Sequence, residues 1–234
     1  MQLLYKIEDL VLIPGPVYLA IGVFDGVHVG HQAVIGGAVR SARQSAGRAV
    51  VLTFDPHPIR VLRPEKAPRI LMTPANKRRA VEELGVDAML TISFTREFSN
   101  ISAEDFVQRL FQSANSLREI WVGEGWRFGV NRAGGMSLLQ SIAQRLGIKV
   151  TPVPAVLVND QVVSSSWIRA AMEQDRVDQA AFLLGRPFAL EYLRPTGKLT
   201  GPCEQAARAR LWAKLMLDME RRVEDRDSFG DLGF

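Results

Sequence analysis

At 234 residues, with 47% apolar and 23% charged side chains, the chain has the composition of a folded protein with a sizeable core, which excludes disorder over most of its length. It holds no apolar run long enough to cross a bilayer, and Met1–Leu10 (MQLLYKIEDL) has acidic residues where a leader peptide would be apolar, so neither a membrane span nor a signal sequence is expected. The net charge of +4 lies in residues 1–188, because basic and acidic side chains balance from Ala189 onward; with no basic block, it suits an anionic small ligand at least as well as nucleic acid.

Val17–Phe24 (VYLAIGVF) reads as a buried strand and Gly30–Ala46 as the helix that follows it. Arg48–Phe54 is a second buried strand. Pro74–Leu84 is a helix that stops at Gly85, and Asp87–Ile92 is a strand. Ser102–Phe111 opens with Ser102 followed by Asp105, an acidic variant of a capping box, and is read as a helix. Glu119–Val122 is a strand, Met136–Leu146 a helix ended by Gly147, and Lys149–Val153 a strand. Ser166–Glu173 and Arg176–Leu184 read as short helices, the second ending at Gly185. Arg194–Pro202 has the composition of a linker, and Cys203–Val223 reads as one helix before a frayed end.

Strands alternating with helices predict an α/β fold with a mostly parallel sheet. The strands show no polar alternation, as expected when helices cover both faces. The organisation is a domain over 1–188 and a linker with a C-terminal helical tail over 189–234, the helix serving either packing or self-association. Cys203 is the single cysteine, which excludes an intramolecular disulfide and a cysteine zinc site and makes a reducing cytoplasm the simplest compartment.

Ligands of such sheets bind beyond the C-terminal strand ends, and the loops found there are unusual. In Gly22–His31 (GVFDGVHVGH) a strand ends in a glycine turn and a helix starts with His28 and His31, two of the three histidines of the chain. Positions i and i+3 share a helix face, so both imidazoles can address one ligand. A helix N-terminus favours an anion, and Gly30 lets a phosphate approach the backbone. The alternatives are a plain turn with surface histidines, or a His–His metal site, for which no carboxylate completes the set. Pro56 and Pro58 stiffen the backbone around His57, next to Asp55. In Gly123–Gly135, glycines bracket Trp126, Arg127 and Phe128, suited to stacking on a flat heterocycle and holding phosphate, or to anchoring a loop. Ser164, Ser165 and Ser166 precede a helix whose first turns hold Arg169, a phosphate-binding pattern or a plain serine cap.

The H-x-G-H pattern after a first strand resembles the nucleotidylyltransferase superfamily. The string G-x-F-D-G-V-H-x-G-H-Q resembles one branch, the adenylyltransferase domain of prokaryotic FAD synthetases. Thr53–Pro58 looks like that branch's T-F-D-P-H-P, Val122–Gly129 is similar to its V-G-x-D-F-R-F-G, Ser164–Arg169 to its S-S-T-x-I-R, and Leu184–Phe188 to its L-G-R-P-Y. The resemblance covers about residues 15–188. It implies a Rossmann-like nucleotidylyltransferase fold and an FMN adenylyltransferase, with ATP and FMN as substrates, FAD as product and Mg²⁺ bridging phosphates, without dedicated protein ligands for the metal.

The resemblance implies His28, His31, Ser165 and Arg169 as catalytic, charge-stabilising groups. ATP binding falls to Gly22, Phe24, Asp25, Gly26, His28, Gly30, His31, Gly123, Ser164, Ser165, Ser166 and Arg169. Flavin binding falls to Phe54, Asp55, Pro56, His57, Pro58, Trp126, Arg127 and Phe128. Ser166 replaces the usual threonine and keeps the hydroxyl, whereas two departures in the third loop change the chemistry: Gly125 stands where an aspartate is usual and Trp126 where a phenylalanine is. They keep open an alternative phosphate-ester acceptor or a non-catalytic nucleotide or flavin binder. No strand pattern follows Phe188, so the riboflavin kinase domain of many relatives is expected to be missing.

Overall fold

The computed structural model describes residues 1–114 and 116–186. Its chain divides after Ala155 into two units. The linker, the Cys203–Val223 helix, its self-association and the boundary at 188 all lie outside the described residues.

The first unit is built on six parallel strands: β1 (Gln2–Leu4), β2 (Val17–Ile21), β3 (Arg48–Asp55), β4 (Ala88–Ser93), β5 (Leu117–Gly123) and β6 (Lys149–Val153). They lie in the order β1-β4-β3-β2-β5-β6. The chain builds from β2 through β3 to β4 on one side and then returns to lay β5 against the other side of β2. The sheet therefore has its switch point between β2 and β5, where α/β folds open a crevice beyond the strand ends.

Alternate residues of each strand serve two cores. Leu19, Leu52, Leu90 and Ile120 join a cluster with Phe106 and Leu110 of α5 (Ala103–Ser113) and Leu139 and Ile142 of α6 (Met136–Arg145). The opposite face carries α1 (Val29–Gln44), which packs across β2, β3 and β5. Its Gly37 leaves room for the Trp121 ring; a Cβ there would lie 2.3 Å from that ring. Helices thus cover both faces of the sheet, as the unalternating apolar runs predict.

Three differences from the expected elements have physical causes. The strand at Val17 ends at Ile21 rather than at Phe24, because Phe24 has a left-handed backbone (φ 50°) that no strand accommodates. The first helix starts at Val29 with His28 as its N-cap, so His28 flanks the helix instead of sitting on its face. The unpredicted β1, α2 (Pro58–Leu62) and α4 (Arg96–Ser99) span at most five residues, too few to show a period. Elsewhere the boundaries shift by only a residue or two, as in α3 (Pro74–Glu83). Pro152 in β6 cannot donate to a ladder, and β6 is accordingly an edge strand.

The second unit begins at Val156. It holds a short antiparallel pair, β7 (Leu157–Val158) and β8 (Gln161–Val162), then α7 (Ser165–Glu173) and α8 (Val177–Leu184), which pack on one another.

Candidate active site

The turn from β2 to α1 sits at the switch point. Within four residues it holds three departures from ordinary backbone: Phe24 (φ 50°), Gly26 (φ 89°) and the β-branched Val27 (φ 41°). Left-handed backbone at Val27 is costly and persists only where the surroundings over-determine it. Here they do. Gln32 Nε2 donates to the Val27 carbonyl at 2.8 Å, Thr53 Oγ1 donates to the Val23 carbonyl at 2.9 Å, and the Leu71 amide donates to the buried Asp25 carboxylate at 2.9 Å. Gly22 lies under the Phe24 ring, where a Cβ would come within 2.7 Å of it. Phe24 is 1% exposed, so of the residues expected to bind ATP it shapes the turn from within the core.

His28 and His31 do come together. Their rings stack with centroids 3.6 Å apart and planes 20° apart, and Phe24 meets His31 edge-on at 5.3 Å. His28 is buried and accepts the His31 amide proton on Nδ1 at 3.3 Å, which caps the helix. An imidazole that accepts through Nδ1 carries its proton on Nε2, the nitrogen suited to donate to a phosphate oxygen. Gly30 lies in the first turn between the two histidines.

The second loop, at the end of β3, shows the same device. His57 Nδ1 accepts from the Ile59 amide at 3.2 Å and caps α2, with Pro58 at the first helical position. Asp55, Pro56, His57 and Pro58 therefore form a stiff corner. Phe54 is largely buried and belongs to an aromatic row with Phe94, Phe98, Phe106 and Phe128. Phe54, Asp55 and His57 line a cavity of about 280 Å³ with Asp25, Thr53 and Lys77. Its further walls include Tyr5, Ile70, Met72 and Met89, so apolar and charged groups share the lining.

Lys77, in α3, escaped the reading of the sequence. Its Nζ donates to the Val23 carbonyl at 2.9 Å. Burial holds its ammonium below the ordinary lysine range, while the carboxylates of Asp25 and Asp55 act in the opposite sense. One signal was available: Lys77 and Arg78 put two cations in the N-terminal half of a helix whose first turn has no acid. The helix dipole disfavours that placement.

The third loop is pinned by a bridge in which Phe128 and Gly134 exchange backbone hydrogen bonds of 3.1 and 2.9 Å. The Phe128 ring is buried, and Trp126 stacks on it with centroids 4.4 Å apart and planes 7° apart. Arg127 is exposed. Gly123 and Gly125 have open space where a Cβ would stand, so no steric cause requires glycine at either position.

The fourth loop belongs to the second unit. Ser164 caps α7 by accepting from the Trp167 amide at 3.2 Å, and the helix begins one residue earlier than expected, at Ser165. Ser165 and Arg169 are half-buried and Ser166 is exposed. Ser164 thus has a structural duty, while Ser165, Ser166 and Arg169 lie in the first turns of the helix.

Among the described residues, no three His, Cys, Asp or Glu side chains gather as a metal-binding group. No helix among the described residues is long and apolar enough to cross a membrane.

The FAD synthetase family model matches residues 12–167. The chain is similar to the bifunctional riboflavin kinase/FMN adenylyltransferase of Escherichia coli (34% identity, covering 74% of this chain and 55% of that protein). The protein of the same description from Buchnera aphidicola subsp. Schizaphis graminum is 31% identical, over 81% of this chain and 61% of its own length. The chain thus spans little more than half the length of these curated relatives. An FAD synthetase of Listeria monocytogenes is 32% identical, over 78% of this chain and 74% of its own length. A crystal structure described as a macrolide-efflux protein from Streptococcus pneumoniae superposes with a TM-score of 0.67 at 26% identity, covering 80% of this chain and 60% of that one.

Proposed function

The chain belongs to the FAD synthetase family, and from that premise we propose that it transfers AMP from ATP to the phosphate of FMN, giving FAD and pyrophosphate. The observation that carries the reading is the stacked His28–His31 pair at the N-terminus of α1, on the switch point of the sheet. Such a terminus attracts phosphate through its backbone amides and dipole, and the imidazole N–H groups add donors.

An FMN phosphate oxygen attacks the α-phosphorus of ATP, the bond from that phosphorus to the bridging oxygen breaks, and pyrophosphate leaves. No side chain need become a nucleophile; the protein's part is positioning and charge stabilisation. His28 and His31 hold the phosphates through their ring nitrogens. Ser165, Ser166 and Arg169 are assigned the β- and γ-phosphates and the departing pyrophosphate on their chemistry, a fixed cation beside hydroxyls. Gly22, Asp25, Gly26 and Gly30 shape the nucleotide turn. The cavity beside Phe54, Asp55 and His57, with Trp126 and Arg127 of the third loop, supplies the flat and apolar surfaces a flavin needs. A magnesium ion, when present, would supply charge neutralisation to the substrate phosphates. A reaction that draws on ATP suits a cytoplasmic location.

Purified protein mixed with ATP, Mg²⁺ and FMN is expected to form FAD and pyrophosphate in equal amounts. ATP binding without any FAD would overturn the reading. Gly125 and Trp126 favour one second reading, a different phosphate ester as acceptor; turnover with such an ester and none with FMN would establish it.

A further inference from the structure

We propose that Lys77 is a positioning residue for the transfer: its ammonium ties the nucleotide turn at Val23 to the end of β3 and so fixes the spacing between the two loops. The inference deepens the adenylyl-transfer reading and rests on it for its kinetic test.

The geometry starts at one carbonyl. The Val23 oxygen accepts two hydrogen bonds, from Thr53 Oγ1 and from Lys77 Nζ, both at 2.9 Å. A carbonyl has two lone pairs, so this one is fully engaged. Thr53 comes from β3, immediately before the Phe54–Pro58 corner, and Lys77 comes from α3. The carbonyl belongs to the residue that precedes the left-handed Phe24. Two elements distant in sequence thus hold the entrance to a turn whose backbone would not keep that shape unaided.

The cation does more than a neutral donor could. It sits with Asp25, from the nucleotide turn, and Asp55, from the acceptor loop, in the lining of the same cavity. Both carboxylates act on it electrostatically. One charge therefore attracts both loops at once. Thr73 anchors the start of α3 by accepting the Asn76 amide at 3.2 Å, which fixes the helix that delivers the lysine. A displacement of about 1 Å between reacting groups can cost on the order of 10²-fold in rate, so a tie between the two substrate loops has catalytic weight without touching either substrate.

The test compares the wild-type chain with Lys77→Met, which keeps the bulk and loses charge and donor, and Lys77→Arg, which keeps both. The inference predicts that Lys77→Met lowers kcat by about 10²-fold while KM for ATP stays within about threefold, and that Lys77→Arg recovers at least about tenfold of the loss. A Lys77→Met kcat within about threefold of wild type, a rise in KM for ATP at unchanged kcat, or no recovery in the arginine variant would overturn it. If Lys77→Met does not fold, Lys77→Gln, which retains a donor but no charge, takes its place under the same criteria.

A second readout is independent of turnover. Amide hydrogen exchange at Phe24–Val27 and Asp55–His57 should accelerate in the variant while Leu19–Ile21 and Val50–Leu52 stay protected. A uniform acceleration across all four segments would mean that the lysine serves stability alone, and no local acceleration would mean that it ties nothing. Should wild-type protein make no FAD, the transfer reading fails, and the exchange pattern alone decides the role of Lys77.

Discussion

One imidazole at His28 serves both the helix and the site. It caps α1 through Nδ1 and stacks on His31 through its ring face. The two histidines should therefore fail differently. His31→Ala removes a donor and leaves the cap, so turnover should fall about 10²–10³-fold with little change in melting temperature. His28→Ala should lose turnover and, in addition, about 1 kcal/mol of stability, read by denaturant unfolding. Equal stability of the two variants would contradict the capping role. A second residue-scale case lies at the opposite end of the sheet. Glu119 is buried, which raises its carboxyl pKa, but hydrogen bonds from Thr151, Ser41 and Lys149 together with the Lys149 charge outweigh burial and hold it below the ordinary glutamate range. A carboxyl depressed in the folded state adds stability above its unfolded pKa and loses it as pH falls through the folded value. Stability should accordingly decline below about pH 4.5 in part through this group. Glu119→Gln should lower stability at pH 7 by about 1–3 kcal/mol and flatten that acid limb; an unchanged limb would contradict it. The histidine pair was legible from its spacing because charge, helix start and glycine all coincide there. Lys77 was not, since a lysine early in a helix is common and only the fold brings it to Val23, Asp25 and Asp55.

Among the elements, those with long apolar runs were readable and those with few residues were not. β3 and α6 lie where their patterns put them, whereas β1, α2 and α4 carry too few residues for a period to show. The end of β2 was misplaced because a left-handed Phe24 looks no different in sequence from a strand Phe24. Packing of α1 on β5 makes a sharp prediction. Gly37→Ala would drive a methyl to 2.3 Å from the Trp121 ring, and overpacking of this kind costs about 1–3 kcal/mol. Unchanged thermal unfolding would show that α1 sits farther from the sheet. The third loop predicts the opposite. Gly125 has open space around its Cβ position, so Gly125→Asp should fold with stability changed by no more than about 0.5 kcal/mol. Comparing the KM for FMN of the two proteins then reads directly whether that carboxylate matters to the acceptor.

For the whole molecule, the strand order states where chemistry can happen. A parallel sheet whose strand order switches sides between β2 and β5 opens its crevice at the loop that carries His28 and His31. Alternation of strands and helices was enough to foresee this class of fold, whereas the order of the strands depends on long-range pairings that no local pattern records. Transfer of AMP within one crevice, with no covalent intermediate on the protein, is the central claim. ATP labelled on the α-phosphate tests it most directly when incubated with FMN and Mg²⁺. The label should pass into FAD, with none on the protein and none in the released pyrophosphate. Label retained on the protein, or ATP left unconsumed while bound, would contradict the account.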